Sequence, residues 1–537
     1  MSKKFFQSGQ HWVWLNAGAI SLSILMVVGL LLLIAVRGLS HFWPAEVKTF
    51  NINENGQAQV IMGEIHGHEK DIQDGLDREQ YLIKTGNRDV YGIDFRWLDL
   101  KNLQSTDTNQ DVVVVERREW GNIYGFIGKV NQNGQVLTGQ GAAEALEQII
   151  DRANDLHHDI RAIEKDDIGA INYDLEQLRL EQRRLELKNK LTDEAMAELD
   201  QQRADLNQQF LDYQAELQEL YAQVKRDSAE FTLVGGETIT MNASNLVRAF
   251  QPNQMGFFAK IGHYFSKLGE FIFDEPREAN TEGGVFPAIF GTVLMVLLMA
   301  IVVTPLGVIA AVYMREYAKQ GPLTRTIRIA VNNLAGVPSI VYGVFGLGFF
   351  VYFLGGSIDD LFYPEVKPSP MFGTPGLIWA SLTLALLTLP VVIVSTEEGL
   401  ARIPKSIREG SLALGATKFE TLWKTVLPMA SPAMMTGLIL AVARAAGEVA
   451  PLMLVGVVKL APTLPLDGNA PFLHLERKFM HLGFHIYDVG FQSPNVEAAR
   501  PLVYATALLL VLIIILLNIA AIKIRNNLRE KYKSLEH

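Results

Sequence analysis

Two ionisable side chains stand inside an otherwise apolar run, ILAVARAAGEVAPLMLVG: Arg444 and Glu448. An ionised group at mid-membrane costs about 2.5–3.5 kcal/mol, so both are expected to face the interior of a helix bundle. A spacing of four puts them on one helix face, where each partly compensates the other. Arginine stays protonated, and its planar donor fork suits the oxygens of an oxyanion. The pair therefore reads either as an anion-path arginine oriented by its glutamate or as a structural ion pair joining two spans. Glu397-Glu398 has the form of a carboxylate dyad, but at the end of a span it reads as a solvated pair. His66 and His68 flank Gly67 with no further ligand set at metal-site spacing, and a solvated turn is expected there. No Gly-x4-Gly-Lys-Ser/Thr phosphate loop occurs, so this chain is not expected to hydrolyse ATP. The count of zero cysteines excludes disulfides and thiolate chemistry.

A second signal lies just upstream, in REGSLALGATKFETLWKTVLP, residues 408–428. Ile407, Leu412, Leu414, Phe419, Leu422 and Trp423 give short helical stretches an apolar surface between charges. Gly415 permits close approach or a bend between two short helices, and a bulky side chain there is expected to obstruct a docked partner. Pro428 lacks a backbone donor, so a turn is expected at Leu427-Pro428 before the next span. A short rigid helix can pass movement from a partner to the spans; an interfacial helix without a partner is the plain alternative.

These residues need a membrane scaffold, and the chain supplies one. Mean hydropathy is only +0.15 over 537 residues, yet 49% are hydrophobic and they are concentrated in long blocks. After Lys3-Lys4 an uncharged run from Phe5 to Val36 is long enough to cross a hydrocarbon core of about 30 Å. It is longer than a signal-peptide core and no convincing cleavage site follows, so a retained anchor is expected. Further apolar blocks near 285–314, 327–354, 376–395, 431–457 and 501–522 bring the expected spans to six. Gly336-Val337-Pro338-Ser339 and Gly343–Gly348 fall in the third, with Pro305 and Pro390 in its neighbours. Small residues allow close packing there, while proline opens backbone groups that a polar pathway can use.

Arg315, Lys319, Arg325 and Arg328 fill one short loop; Arg402, Lys405, Arg408, Lys418 and Lys424 fill the next alternate one; Lys523, Arg525, Arg529, Lys531 and Lys533 crowd the tail. The loop at 355–375 has Asp359, Asp360 and Glu365 against Lys367. The positive-inside rule then puts both termini in the cytoplasm and residues 38–284 outside.

That insert reads as a mixed α/β region. Val112–Val115 and Ile123–Ile127 are strand-like, with turn pairs at Asn55-Gly56 and Asn133-Gly134. Residues 142–226 carry 20 acidic and 11 basic side chains, too acidic for a nucleic-acid platform, and no nucleic-acid partner is expected. Their apolar residues alternate by three and four, as in an antiparallel coiled-coil hairpin. One arm runs from Leu146 through Ile149, Ala153, Leu156, Ile160 and Ile163, slips by one residue, and resumes at Ile168, Ile171, Leu175, Leu178 and Leu185. The other runs from Met196 through Leu199, Leu206, Phe210, Tyr213, Leu217, Leu220 and Val224, with Arg203 as a misfit. Asn189–Thr192 is the expected turn, with Thr192 as the cap of the second arm. The strand-like stretch Phe231–Met241 then returns to the small module.

Glu409, Gly415 and Leu427-Pro428 stand at the spacing of the cytoplasmic coupling loop of ABC-importer permeases, although Gly410-Ser411 replaces Ala-Ala and Thr425 replaces Ile. With ARAAGEVAPLMLVG and AGVPSIVYG, residues 285–537 most closely resemble the phosphate-importer permeases of that family. The resemblance implies a mainly α polytopic permease of a bacterial inner membrane, with residues 285–537 as its permease domain and a coupling loop at 396–428; the apolar blocks and loop charges make it six-span, with residues 1–37 holding the first span and 38–284 the insert. It implies inorganic phosphate as substrate, translocated by alternating access along a path that includes Arg444, Glu448 and Ser339. Glu409, Gly415, Leu427 and Pro428 would serve ATPase coupling. The implied partners are a second permease subunit, two ATP-binding subunits carrying ATP and Mg, a periplasmic phosphate-binding protein and membrane lipid, with no cofactor on this chain. A permease for sulfate or molybdate, or a coiled-coil envelope scaffold or sensor, stands as the alternative.

Overall fold

A computed structural model of the chain describes residues 9–54, 56–73, 76–493 and 496–532. Lys3, Lys4, Asn55 and Lys533 lie outside the described residues. Among the described residues six helices are long and apolar enough to cross a membrane: His11–Ser40, Phe286–Tyr317, Ser339–Phe362, Leu377–Arg402, Lys418–Ala446 and Ala499–Asn527. The fourth is the axis of the bundle. Trp379, Leu384, Leu387 and Val392 from it are buried against Met295, Met299 and Val303 of the second span and Ala441 and Ala445 of the fifth. Gly307 allows a close approach to it: a Cβ there would lie 2.6 Å from Val392 Cγ1.

Two span boundaries differ from the apolar blocks. Residues Pro322–Leu334 form a separate amphipathic helix, and the third span starts only at Ser339. Pro338 is its extended N-cap, and a proline disfavours helix at the residue before it, so the block from 327 cannot run through. Nor does the chain turn at Leu427-Pro428. A π-turn at Leu422–Val426 carries the helix from Lys418 into Leu427–Ala446. Pro428 then sits in the first turn of that helix, where a missing donor is tolerated.

The insert is built on two antiparallel sheets, one ordered β4-β3-β2-β1-β5 and the other β10-β9-β7-β6-β11 with β8 paired to β7. The strands are β1 (Val47–Glu54), β2 (Gln57–Gln73), β3 (Leu76–Lys84), β4 (Phe95–Asp99), β5 (Leu103–Asp107), β6 (Val113–Arg117), β7 (Ile123–Gln132), β8 (Gln135–Thr138), β9 (Ser228–Thr232), β10 (Thr238–Asn242) and β11 (Leu246–Phe250). Asn133 and Gly134, with φ 52° and 82°, make the two-residue hairpin that joins β7 to β8. His66 and His68 lie in β2 rather than in a turn; the extra residue is taken up by a bulge between Ile65 and Gly67.

Residues 140–224 form an antiparallel helical hairpin. Its first arm is Gln140–Ala162, a π-turn at Ile163–Asp167, and Ile168–Leu187; its second is Asp193–Val224. The one-residue slip in the apolar pattern is that π-turn: one inserted residue widens a single turn and resets the face. Thr192 caps the second arm by accepting from the Ala195 amide at 3.2 Å. Arg203, the misfit, donates across the hairpin to Gln182 at 2.8 Å. The seam is not wholly shared between the arms, however. Leu146, Ile149 and Ala153 are buried in one cluster with Val115, Ile123 and Phe231 of the sheet, so the root of the first arm completes the core of the module.

Candidate functional site

The segment between the fourth and fifth spans folds as Lys405–Ala413, a turn, and a second helix beginning at Lys418. Gly415 makes the turn with φ +88°, a left-handed conformation that L side chains resist, while a Cβ there would meet nothing within 4 Å. Within this chain the glycine is thus needed for the bend and not for close approach. Thr417 and Glu420 then start the second helix as a reciprocal capping box, the Glu420 amide donating to Thr417 Oγ1 at 3.2 Å and the Thr417 amide to Glu420 at 3.0 Å.

Apolar residues of the segment divide by direction. Leu422 and Val426 are buried against Leu400, Ile403 and Ala430, with Ile407 packed beside them. Leu412, Leu414, Phe419 and Trp423 are exposed, Leu414 at 91%, and the last two rings stack at 6.3 Å. A loop anchored on one side and apolar on the other is equipped to receive a second protein surface.

Its anchor was not legible from spacing. Glu316, at the end of the second span, accepts from Arg408 Nη2 at 2.8 Å, and the same guanidinium donates to the Ile403 and Leu400 carbonyls at 2.7 and 2.8 Å. Lys418 bonds the Glu316 carbonyl and lies 4.5 Å from the centroid of the Tyr317 ring. Nearby, Arg328 makes a two-pronged contact with Glu397 at 3.0 and 3.2 Å, so of Glu397-Glu398 only Glu398 is the exposed carboxylate expected for both. The available signal was an isolated acid, Glu316, among Arg315, Lys319, Arg325 and Arg328. Glu409 is exposed and pairs with nothing among the described residues.

The other expected site lies deeper. A Cβ on Gly346 would touch Thr383, six residues below the start of the fourth span, and one on Gly343 would touch Pro451. This antiparallel register sets Tyr342 and the 444–451 stretch near the middle of the fourth span. There the fifth helix stops: it ends at Ala446, with Gly447 as C-cap and Pro451 following. Glu448 is therefore beyond the helix rather than on its face. The pair survives across the helix end, Arg444 Nε to Glu448 Oε1 at 3.7 Å, with the two side chains 34% and 20% exposed. A basic residue in the last turn also complements the open carbonyls of a helix that stops inside the bundle. Ser339 starts the neighbouring helix, three residues before Tyr342, but no hydrogen bond joins it to the pair among the described residues.

The opposite side of the membrane domain meets the hairpin. Arg161 and Lys165 both reach Glu275. Tyr173 bonds the Ala470 carbonyl and packs edge-on against His474 at 6.0 Å. Arg184 donates to Glu365 from Nη2 and Nε at 2.8 and 3.0 Å; Glu365 itself is 3% exposed. Burial pushes the Glu365 carboxyl up, but a backbone hydrogen bond and Arg184 outweigh it and hold the group below the ordinary carboxylate range. The first arm thus reaches two separate loops of the membrane domain and the Glu275 turn of the insert.

Residues 303–530 match the family described as binding-protein-dependent transport system inner membrane component. The probable ABC transporter permease protein YqgH of Bacillus subtilis is 34% identical over 36% of this chain, and the match spans 59% of its length. PstA 1, a phosphate transport system permease protein of Mycobacterium tuberculosis (strain CDC 1551), is 34% identical over 45% of this chain and 71% of its own. A structure of the MetNI methionine ABC transporter in an inward-facing conformation aligns over 46% of this chain and 94% of that one, at 21% identity and a TM-score of 0.33, which carries no argument.

Proposed function

Because the chain belongs to the family of binding-protein-dependent transport system inner membrane components, as a PstA-type permease, we propose that it conducts inorganic phosphate through the inner membrane of a bacterium. A partner subunit supplies ATP hydrolysis. The observation that carries this reading is Arg444: a permanent cation near mid-span depth, in a PstA-type chain, at a helix end, with one long ion pair and a third of its side chain open. An anion shedding water at that depth needs a fixed positive charge, and a loosely held guanidinium supplies one without being neutralised in advance. Glu448 orients the fork, and Ser339 lines the same path from the neighbouring helix.

In this reading the Arg- and Lys-rich loops and both termini face the cytoplasm and residues 38–284 face the periplasm, following the positive-inside rule. Leu412, Leu414, Phe419 and Trp423 then point toward the ATP-binding subunits. Closure of those subunits moves Lys405–Val426 as a unit, because Glu316 ties it to the second span and Leu422 and Val426 to the fourth. The second permease subunit completes the pathway, and a periplasmic phosphate-binding protein delivers the ion. The test is uptake of labelled phosphate, sulfate and molybdate by a strain lacking its own phosphate importer and expressing this complex. Phosphate uptake displaced by neither competitor supports the reading; preferential sulfate or molybdate uptake replaces the substrate, and no uptake of any anion removes the transport assignment.

A further inference from the structure

Helix Phe257–Phe273, between the insert and the second span, has three distinct faces. One is polar and bound to the sheet module: Lys267 pairs with Glu116 at 2.9 Å, Glu270 with Arg248 at 3.3 Å, and the His263 ring packs tilted against Phe250 with centroids 4.3 Å apart. A second is apolar and packed, with Tyr264, Leu268 and Phe271 in the cluster that also holds Ala499 and Leu502 of the last helix. The third is apolar and bare. Phe258, Phe265 and Phe273 are 85%, 63% and 72% exposed, with Phe257 beside them at 66%. Spacings of seven and eight put the first three on one stripe, with Gly262 and Gly269 between them.

The place of this helix in the fold says what covers the stripe. Phe42, two residues past the first span, packs on Phe271 with ring centroids 5.2 Å apart, and Trp43 reaches Phe257 at 6.4 Å. At its other end the Val285 amide donates to the Phe271 carbonyl at 2.8 Å and the Phe286 amide to Asp274 at 3.2 Å, so the helix is tied directly to the start of the second span. It therefore packs where the first span ends and the second and sixth begin. The first span, whose end it adjoins, is likewise bare, with Leu25, Leu30 and Leu32 69%, 59% and 63% exposed.

We propose that Phe257–Phe273 is an interfacial anchor whose aromatic stripe is buried in the leaflet on the insert side, seating the insert on the bilayer. This rests on the reading that the six apolar helices cross the membrane. Aromatic rings favour that depth, and a helix with its polar face engaged by protein and its apolar arc turned away satisfies both solvents. A floating insert would leave the rings in water, and a second protein surface would shield them from water and lipid alike.

With zero cysteines in the chain, single labels are unambiguous. Phe265→Cys and, separately, Phe258→Cys would carry an environment-sensitive fluorophore in the full chain reconstituted in phosphatidylcholine–phosphatidylglycerol vesicles. Leu25→Cys serves as the span reference and Gln201→Cys, on the hairpin, as the aqueous reference. Lipid bearing a nitroxide near the headgroup should quench both phenylalanine sites at least threefold more than the Gln201 site, with aqueous iodide quenching them at least threefold less. Iodide quenching equal to that at Gln201, or protection from both quenchers, overturns the proposal. If the Leu25 site is itself open to iodide, the membrane reading fails first and takes this one with it.

Discussion

The two faces of the membrane domain are both held by arginine–glutamate contacts, but in different ways. On the coupling side Arg408 and Glu316 are 19% and 12% exposed, and the guanidinium also donates to two backbone carbonyls of its own neighbourhood, while its Nε is buried without a partner among the described residues. On the insert side Arg184 is half exposed, only Glu365 is buried, and the two come from regions 181 residues apart. A pair largely shielded from water on both sides, with three contacts from the guanidinium, makes a stiff joint; one with a solvated arginine makes a joint that can release. In the proposed transport cycle, force from a partner ATPase would pass through the first kind. The second kind lets the arm part from the loops beneath it at small cost.

Breaking the stiff joint should have the largest effect. Arg408→Ala leaves Glu316 buried without its cation and frees two carbonyls, a loss of about 3 kcal/mol at the joint. Phosphate uptake should drop at least tenfold while the chain still inserts, measured as uptake per chain in the membrane fraction. Gly415 sharpens the same point by separating backbone from bulk. Gly415→Val must hold a β-branched residue at φ +88°, at a cost of about 1–2 kcal/mol, whereas Gly415→Asn tolerates that region. Uptake should fall several-fold in the first and stay within twofold of wild type in the second. Equal losses in both would mean that a docked partner needs the space.

On the insert side Arg184→Ala should cost only about 1 kcal/mol, discounted for the exposure of the arginine. Limited proteolysis at the 188–192 turn should speed up about threefold, with span topology unchanged; an unchanged rate would mean that the arm is held by other contacts. The smallest effect concerns His485, 3% exposed, with neither ring nitrogen hydrogen-bonded among the described residues. Burial holds its pKa at about 4 instead of 6.5. Between those values the unfolded form takes up a proton that the folded form refuses. Stability is complete above pH 6.5 and falls as pH drops through that window, by at most about 1.4 kcal/mol per pH unit. Thermal unfolding of His485→Phe at pH 7.5 and 5 should show a flatter pH dependence than wild type.

How much of this was legible follows the physics of each signal. Six spans were readable because a bilayer demands some twenty apolar residues at a stretch, but where the third and fifth begin depended on Pro338 and on the π-turn at Leu422–Val426, which act through hydrogen-bond geometry rather than hydropathy. The hairpin was readable down to its one-residue slip, since a π-turn shifts the apolar register visibly. Which residues of the first arm would face the sheet was not, because Leu146 and Ile149 serve either neighbour equally well. Glu316–Arg408 and Arg328–Glu397 join distant segments, and no local period announces them. Phe257–Phe273 was passed over although its aromatics stand at helical spacing, because it is shorter than a span.

The central claim is that the Arg444 cation serves the anion path. Arg444→Ala alone leaves Glu448 unpaired and would confuse loss of path with loss of fold, so the deciding variant is Arg444→Ala/Glu448→Ala, which removes both charges together. Labelled phosphate uptake should be measured per assembled complex, with the ATPase subunits quantified in the same membranes. A cation on the anion path means at least a tenfold loss with assembly intact. Uptake near wild type in the assembled double variant would contradict it and leave the pair as a structural brace at a helix end.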